Sequence, residues 1–237
     1  LVVFGGLGFL SLRMYSIAAR ADRQGRERAF FTLCSNRSAR LSARFRLDDE
    51  FLASVTDLLT VSPGIRRKQF AAFVRRPIES KQHLAGVGFA RLVSPGRIRQ
   101  WERAVRREGF PEATVRDAAA SEVSVVLDYL FPFDRLGRGF GLNLAGDPSR
   151  RGALEQARDT GRDVATPLHG LGDLGLEGRG ILVFSPIYES GVPLDSAAAR
   201  SRALRGYGVL VYDLSEGPAA SLLPQPLPQG VGFRLSD

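Results

Sequence analysis

One stretch of the 237-residue chain concentrates groups that could hold a ligand: GLNLAGDPSRRGALEQARDTG, residues 141–161. Asp147 followed by Pro148 has the chemistry of a helix start. The carboxylate accepts a free backbone amide, and proline lacks only a donor that the first turn does not need. Arg150 and Arg151 then fall in that first turn, where the helix dipole disfavours cations. A guanidinium only donates hydrogen bonds, and its fork matches a carboxylate or phosphate, whereas the Asn143 amide both donates and accepts. Such groups bind; they do not by themselves transform a substrate.

No catalytic set accompanies them. A GxSxG elbow and a P-loop are both absent from the sequence. Gly137 and Gly139 begin a dinucleotide-type loop, but Leu142 stands where its third glycine would be, so tight turns account for the glycines equally well. The one cysteine, Cys34, excludes an intramolecular disulfide and a cysteine-based metal cluster. His83 and His169 are far apart and outside any metal-ligand spacing, which makes each a surface or half-buried polar residue. Neither a metal nor a cofactor is expected. The composition is that of a binding module.

These groups must be carried by elements that the apolar pattern makes readable. From Met14 to about Leu59 there is no proline, and the only glycine is Gly25. Leu41, Phe45, Leu52, Val55 and Leu59 recur at three to four residues, with one slot taken by Asp48. That period predicts a long amphipathic helix with a seam able to pair with a second copy. Ser62-Pro63-Gly64 ends it, and Ile65 to Val74 resumes as a short helix with Phe70 and Phe73 on one side. LAGVGFARLV (84–93), EVSVVLDYLF (122–131), GILVFSPIY (180–188) and YGVLVYDL (207–214) read as strands rich in β-branched and aromatic residues. RIRQWERAVRRE (97–108) reads as a helix closed by Gly109, with Trp101 anchoring it to the sheet. So few helices among these strands predict an α/β (α+β) fold with a mostly antiparallel sheet, not a doubly wound one. Residues 215–230 hold four prolines and read as an irregular connection before a last strand, VGFRLSD.

Composition bears on partners. The formal net charge is +8, and Lys68 and Lys81 are the only lysines among 33 basic residues. The arginines are spread along the chain and form no stripe with interleaved aromatics, so a nucleic-acid partner is not expected. An intracellular nucleic-acid binder would need them on one face. Residues 1–12, LVVFGGLGFLSL, are almost wholly apolar but shorter than the roughly 20 residues of a membrane span. They read as the end of a transmembrane helix that begins before residue 1, or as a buried soluble helix.

Taken in order over roughly 41–214, the segments LLTVSPGIRRKQFAAFV, LAGVGFARLV, RIRQWERAVRREGF, GLNLAGDPSRRGALEQARDTG with the following VATP, GILVFSPIY and GYGVLVYDL resemble the CHASE family. These are the extracytoplasmic sensor domains of plant cytokinin receptors and many bacterial membrane receptors. The resemblance implies a long N-terminal helix followed by PAS-like antiparallel-sheet subdomains. It divides the chain into a transmembrane end (1–12), a signalling and dimerisation helix (13–62), a membrane-distal ligand-binding subdomain (63–214) and the start of a membrane-proximal one (215–237). It also implies a small-molecule ligand, a homodimer through the N-terminal helix, and a membrane-anchored receptor of the bacterial inner membrane with this domain in the periplasm. The domain is then no enzyme itself. Its output would be a histidine kinase, with a diguanylate cyclase as the alternative, and a ligand-free dimerising spacer is the rival reading.

The resemblance also assigns pocket positions. Arg150 stands where the cytokinin receptors place an aspartate that hydrogen-bonds the adenine ring, and Phe184 stands where they place a threonine. Tyr207 keeps an aromatic position, Leu144 an apolar lining position, and Thr166 to Leu171 a segment supplying backbone contacts. Asn143 stands where bacterial members often carry aspartate. If Arg150 lines the pocket, a carboxylate or phosphate ligand suits it. If it points to solvent, a cytokinin-type adenine must be read by Asn143. Phe184 reads first as core packing, and Tyr207 reads equally as core or as a ligand contact.

Overall fold

The computed structural model describes residues 31–215, apart from 33, 37 and 119–121. The expected membrane-helix end at 1–12, the following residues to 30 and the expected second subdomain from 216 onward lie outside the described residues. The chain divides into two compact units, Leu1–Arg46 and Leu47–Asp237. The described residues of the first are helical. Among the described residues, no helix is long and apolar enough to cross a membrane.

The second unit begins with helix α1, residues 47–61. Its Leu52, Val55 and Leu59 are buried, so this part of the expected pairing seam is spent within the protomer. Helix α2, Arg67–Ser80, is longer than the predicted Ile65–Val74 because Pro77 is carried inside it. Proline at that point forfeits only one hydrogen bond near the helix end. Phe70, Val74 and Ile78 form its buried row at four-residue steps. Phe73 falls off that row and is exposed, so the two phenylalanines expected to share a side do not.

Six strands follow, all antiparallel: β1 Leu84–Val93, β2 Ser124–Phe131, β3 Val164–Ala165, β4 His169–Gly170, β5 Arg179–Tyr188 and β6 Leu204–Asp213. The sheet order is β2-β1-β6-β5-β3, with β4 also paired to β5. Helix α3 (Ile98–Arg107) follows β1, and the single turn α4 (Phe133–Leu136) follows β2. Helix α5 (Pro148–Thr160) precedes β3, and α6 (Ala197–Ala203) precedes β6. This is the expected α/β class with an antiparallel sheet.

Both faces of the sheet are covered, which is why β6 reads as a continuous apolar run. Tyr207, Val209 and Val211 alternate onto one face and join Ala153, Leu154 and Ala157 of α5 in the main core. The intervening residues face α1. A Cβ on Gly208 would meet Thr56 Cγ2 at 2.7 Å and Leu52 Cδ1 at 3.1 Å. Only glycine lets the helix lie this close to the strand. Strand β2 is an edge, and the segment Gly141–Asn143 shields part of it: Leu127 donates to the Leu142 carbonyl, and Gly141 donates to that of Leu127.

Candidate ligand site

The helix start expected at Asp147 is present. Asp147 Oδ1 accepts from the amides of Ser149 (2.9 Å) and Arg150 (3.2 Å), and Pro148 opens α5. The Ser149 hydroxyl bond leads the effects that hold the Asp147 carboxyl below its ordinary value, aided by these amides and Arg150 against modest burial. Gly161 closes the helix in the left-handed conformation, φ 70°. Such a fixed start aims the two arginines. Arg151 donates from Nε to the Ala145 carbonyl (2.9 Å) on the surface. Arg150 turns inward and is only 2% exposed.

The Arg150 guanidinium forks onto Asp173, with Nη1 to Oδ2 at 2.5 Å and Nη2 to Oδ1 at 2.9 Å. Its Nε lies 3.2 Å from His169 Nε2, and His169 Nδ1 lies 3.2 Å from the Thr166 hydroxyl. Thr166 Oγ1 in turn accepts from the amide of Leu182 on β5 (3.0 Å). A polar chain therefore runs from α5 through His169 of β4 and Thr166 before it to β5, with Asp173 of the loop after β4 capping its outer end. A buried guanidinium needs this paired geometry, because an uncompensated charge would cost several kcal/mol, about 3–5 when one partner is removed. The Asp173 side chain remains 38% exposed, so this carboxylate is the end of the chain that a ligand can reach.

The other expected positions lie beside that chain as packed side chains. Leu144, Leu171, Phe184 and Tyr207 all belong to the main apolar core. The Phe184 and Tyr207 rings meet edge to face at 6.2 Å. Tyr207 donates to the Leu154 carbonyl of α5 (2.9 Å), and burial pushes its phenol far above the ordinary value, so it stays a donor. Asn143 is committed to backbone. Its Oδ1 accepts from Val125 (2.8 Å) and Ala145 (3.3 Å), and its Nδ2 donates to the Asp117 carbonyl (2.9 Å). These bonds use its amide to tie the β2 edge to the turn before α5, leaving little for a ligand. Arg150 and Thr166 are thus joined through His169, Leu171 lies in the core, and Asn143 serves the shielded edge.

Sequence reasoning missed Asp173 and the position of His169. Nothing in the spacing announces a contact across 23 residues; only the glycine-flanked GLGDLG, a loop able to fold back, was a sign.

It also missed two buried polar centres on the opposite sheet face. Asp48, the exception in the helix period, has no exposed surface. It receives Lys81 Nζ at 2.6 Å, His83 Nε2 at 2.7 Å and the Tyr212 hydroxyl at 3.1 Å. His83, expected at or near the surface, is buried at 3% because it completes this centre. Asp128 of β2 receives Arg67 Nη2 (2.6 Å), Arg91 Nε (2.8 Å) and the Trp101 indole (3.2 Å). Trp101 is therefore the expected anchor of α3, held by a hydrogen bond as well as by packing. Among the described residues, no cluster of histidine, cysteine and carboxylates could hold a metal ion.

In comparisons with known proteins, the family model described as the CHASE domain matches residues 63–237. No curated protein matches the chain significantly.

Proposed function

Because the chain belongs to the CHASE domain family, whose members are extracytoplasmic sensor domains of signalling receptors and not themselves catalytic, we propose that it binds a small molecule on the α5 side of the sheet. The observation that carries this reading is the buried Arg150 fork on Asp173, placed where an apolar core meets a reachable carboxylate. Leu144, Leu171, Phe184 and Tyr207 supply the apolar wall, Thr166 and Arg150 the polar floor, and Asn143 the fixed edge. Binding on this side requires α5 and the loop bearing Asp173 to part from the wall.

Asp173 changes the ligand question. Arginine occupies the position at which cytokinin receptors have an acid, yet the loop brings a carboxylate to the same guanidinium. An acceptor for an exocyclic amine or a ring N–H is thereby restored. A cytokinin-type N6-substituted adenine is the first candidate ligand. An anionic ligand is the second, favoured by the fork itself, which a ligand carboxylate can take over from Asp173. The receptor is proposed to be periplasmic, anchored in a bacterial inner membrane and dimeric through its N-terminal helix. A histidine kinase is the proposed output, with a diguanylate cyclase as the alternative.

Titration with isopentenyladenine, against small carboxylates, sorts the ligand classes. For the adenine reading, saturable heat is expected, weakened at least tenfold by Asp173→Asn. A response to carboxylates alone, abolished by Arg150→Gln, would move the assignment to anions. No saturable heat or melting shift with any adenine derivative removes the cytokinin version.

A further inference from the structure

The sheet face opposite α5 has a cavity of about 750 Å3 between α2, the ends of β1 and β2, and α4. Its size is that of a small-molecule site, commonly about 300–1,000 Å3. Its walls are aromatic: Phe70 of α2, Tyr129 and Phe131 of β2, and Phe133 of α4. Phe133 is 43% exposed at the rim, a large apolar surface left to solvent beside a concave one.

The charges around it are unequal. Lys68, Arg75 and Lys81 line the α2 side and Arg135 the α4 side, facing Glu79, Asp128 and Asp134. Asp128 is engaged by Arg67, Arg91 and Trp101, and Lys81 by Asp48, which leaves Lys68, Arg75 and Arg135 with Glu79 and Asp134. Arg75 and Glu79 are 3.7 Å apart with both side chains about 60% exposed, a pair of the kind that holds weakly in water. Arg135 likewise reaches Asp213 only at 3.7 Å. Arg75 also sits over the Phe131 ring, 5.2 Å from its centroid, so a cation and a flat apolar wall adjoin. A ring with a single negative charge satisfies both.

We propose that this cavity is a second ligand site, taking a small aromatic monocarboxylate whose ring lies against Phe131 and Phe133 and whose carboxylate is drawn to Arg75 and Arg135. It is separate from the α5 side, with the sheet between them. It also includes Lys81, the residue whose ammonium holds Asp48 of α1. An occupant here therefore acts next to the contact that fixes the helix on the sheet.

Calorimetric titration of the chain with 3-phenylpropionate and with its amide tests the proposal. The carboxylate is expected to bind saturably, and the amide at least tenfold more weakly. The double variant Arg75→Gln, Arg135→Gln changes exposed side chains and keeps the fold. It should weaken the carboxylate at least tenfold. Ala71→Trp, which fills the cavity from α2, should abolish binding, with circular dichroism confirming that the variant is folded. Arg150→Gln, used only where circular dichroism shows it folded because it breaks a buried pair, should leave this titration unchanged, which separates it from the α5-side reading. Absent binding, equal binding of acid and amide, or loss of binding in Arg150→Gln with none in the double variant would each overturn the assignment.

Discussion

Asp48 is a carboxylate without exposed surface, and its neighbours explain how it remains charged. Burial alone would raise its pKa, but hydrogen bonds from His83 and Lys81, with their charges, outweigh burial and hold it below the ordinary 3.8. The unfolded chain therefore takes up this proton at a higher pH than the folded one. The stability that the carboxylate contributes is complete above the unfolded value and is lost as pH falls through the folded value, below 3.8. Asp48→Asn is expected to cost about 3–5 kcal/mol at neutral pH, the range for breaking a buried ion pair, and to flatten the acid limb of the stability profile. Urea melts from pH 7 to pH 3 check both. Tyr207→Phe removes one hydrogen bond, to the Leu154 carbonyl, and should cost about 1 kcal/mol in the same melts. Of these residues, only Asp48 gave a sign in the sequence, as a charge in an apolar slot. The partners of Arg150 left only the glycine-flanked GLGDLG around Asp173, because a contact made by loop closure leaves no period.

At the scale of elements, helix α1 and strand β6 touch through the missing side chain of Gly208. Gly208→Ala must push Thr56 and Leu52 away and should cost about 1–3 kcal/mol, as overpacking does. Hydrogen exchange of the α1 amides should quicken with it. Gly64→Ala, with nothing within 4 Å of its added methyl, is the matched control and should change neither. The strong elements were legible: the four apolar strands and the helices α3 and α5 lie where the residue patterns put them. Helix α6 was not, since seven residues of AAARSRA carry no apolar period and only the Ser196 cap marks its start. β3 and β4 are two residues each, too short to leave an alternation. Pro77 misled because proline usually ends a helix, whereas here α2 runs on to Ser80.

For the whole molecule, the arrangement separates two polar systems by one sheet. Arg150, Asp173, His169 and Thr166 lie on the α5 side, and the Asp48 and Asp128 centres lie on the side of α1, α2 and α3. The resemblance of the quoted segments, taken in order along the sequence, was enough to reach this family, which the family model matches over residues 63–237. The polar partners were hidden because each joins residues distant along the chain. Lys81 has a place in both the cavity wall and the Asp48 centre, and that double membership makes its effects reciprocal. Whatever factor an occupant of the cavity applies to the seating of α1, the seating of α1 applies to the occupant's affinity. Asp48→Asn, under conditions where it stays folded, releases the Lys81 ammonium and should tighten 3-phenylpropionate severalfold by calorimetry. An anchored helix and an empty cavity are, in that accounting, two descriptions of a single ammonium group's allegiance.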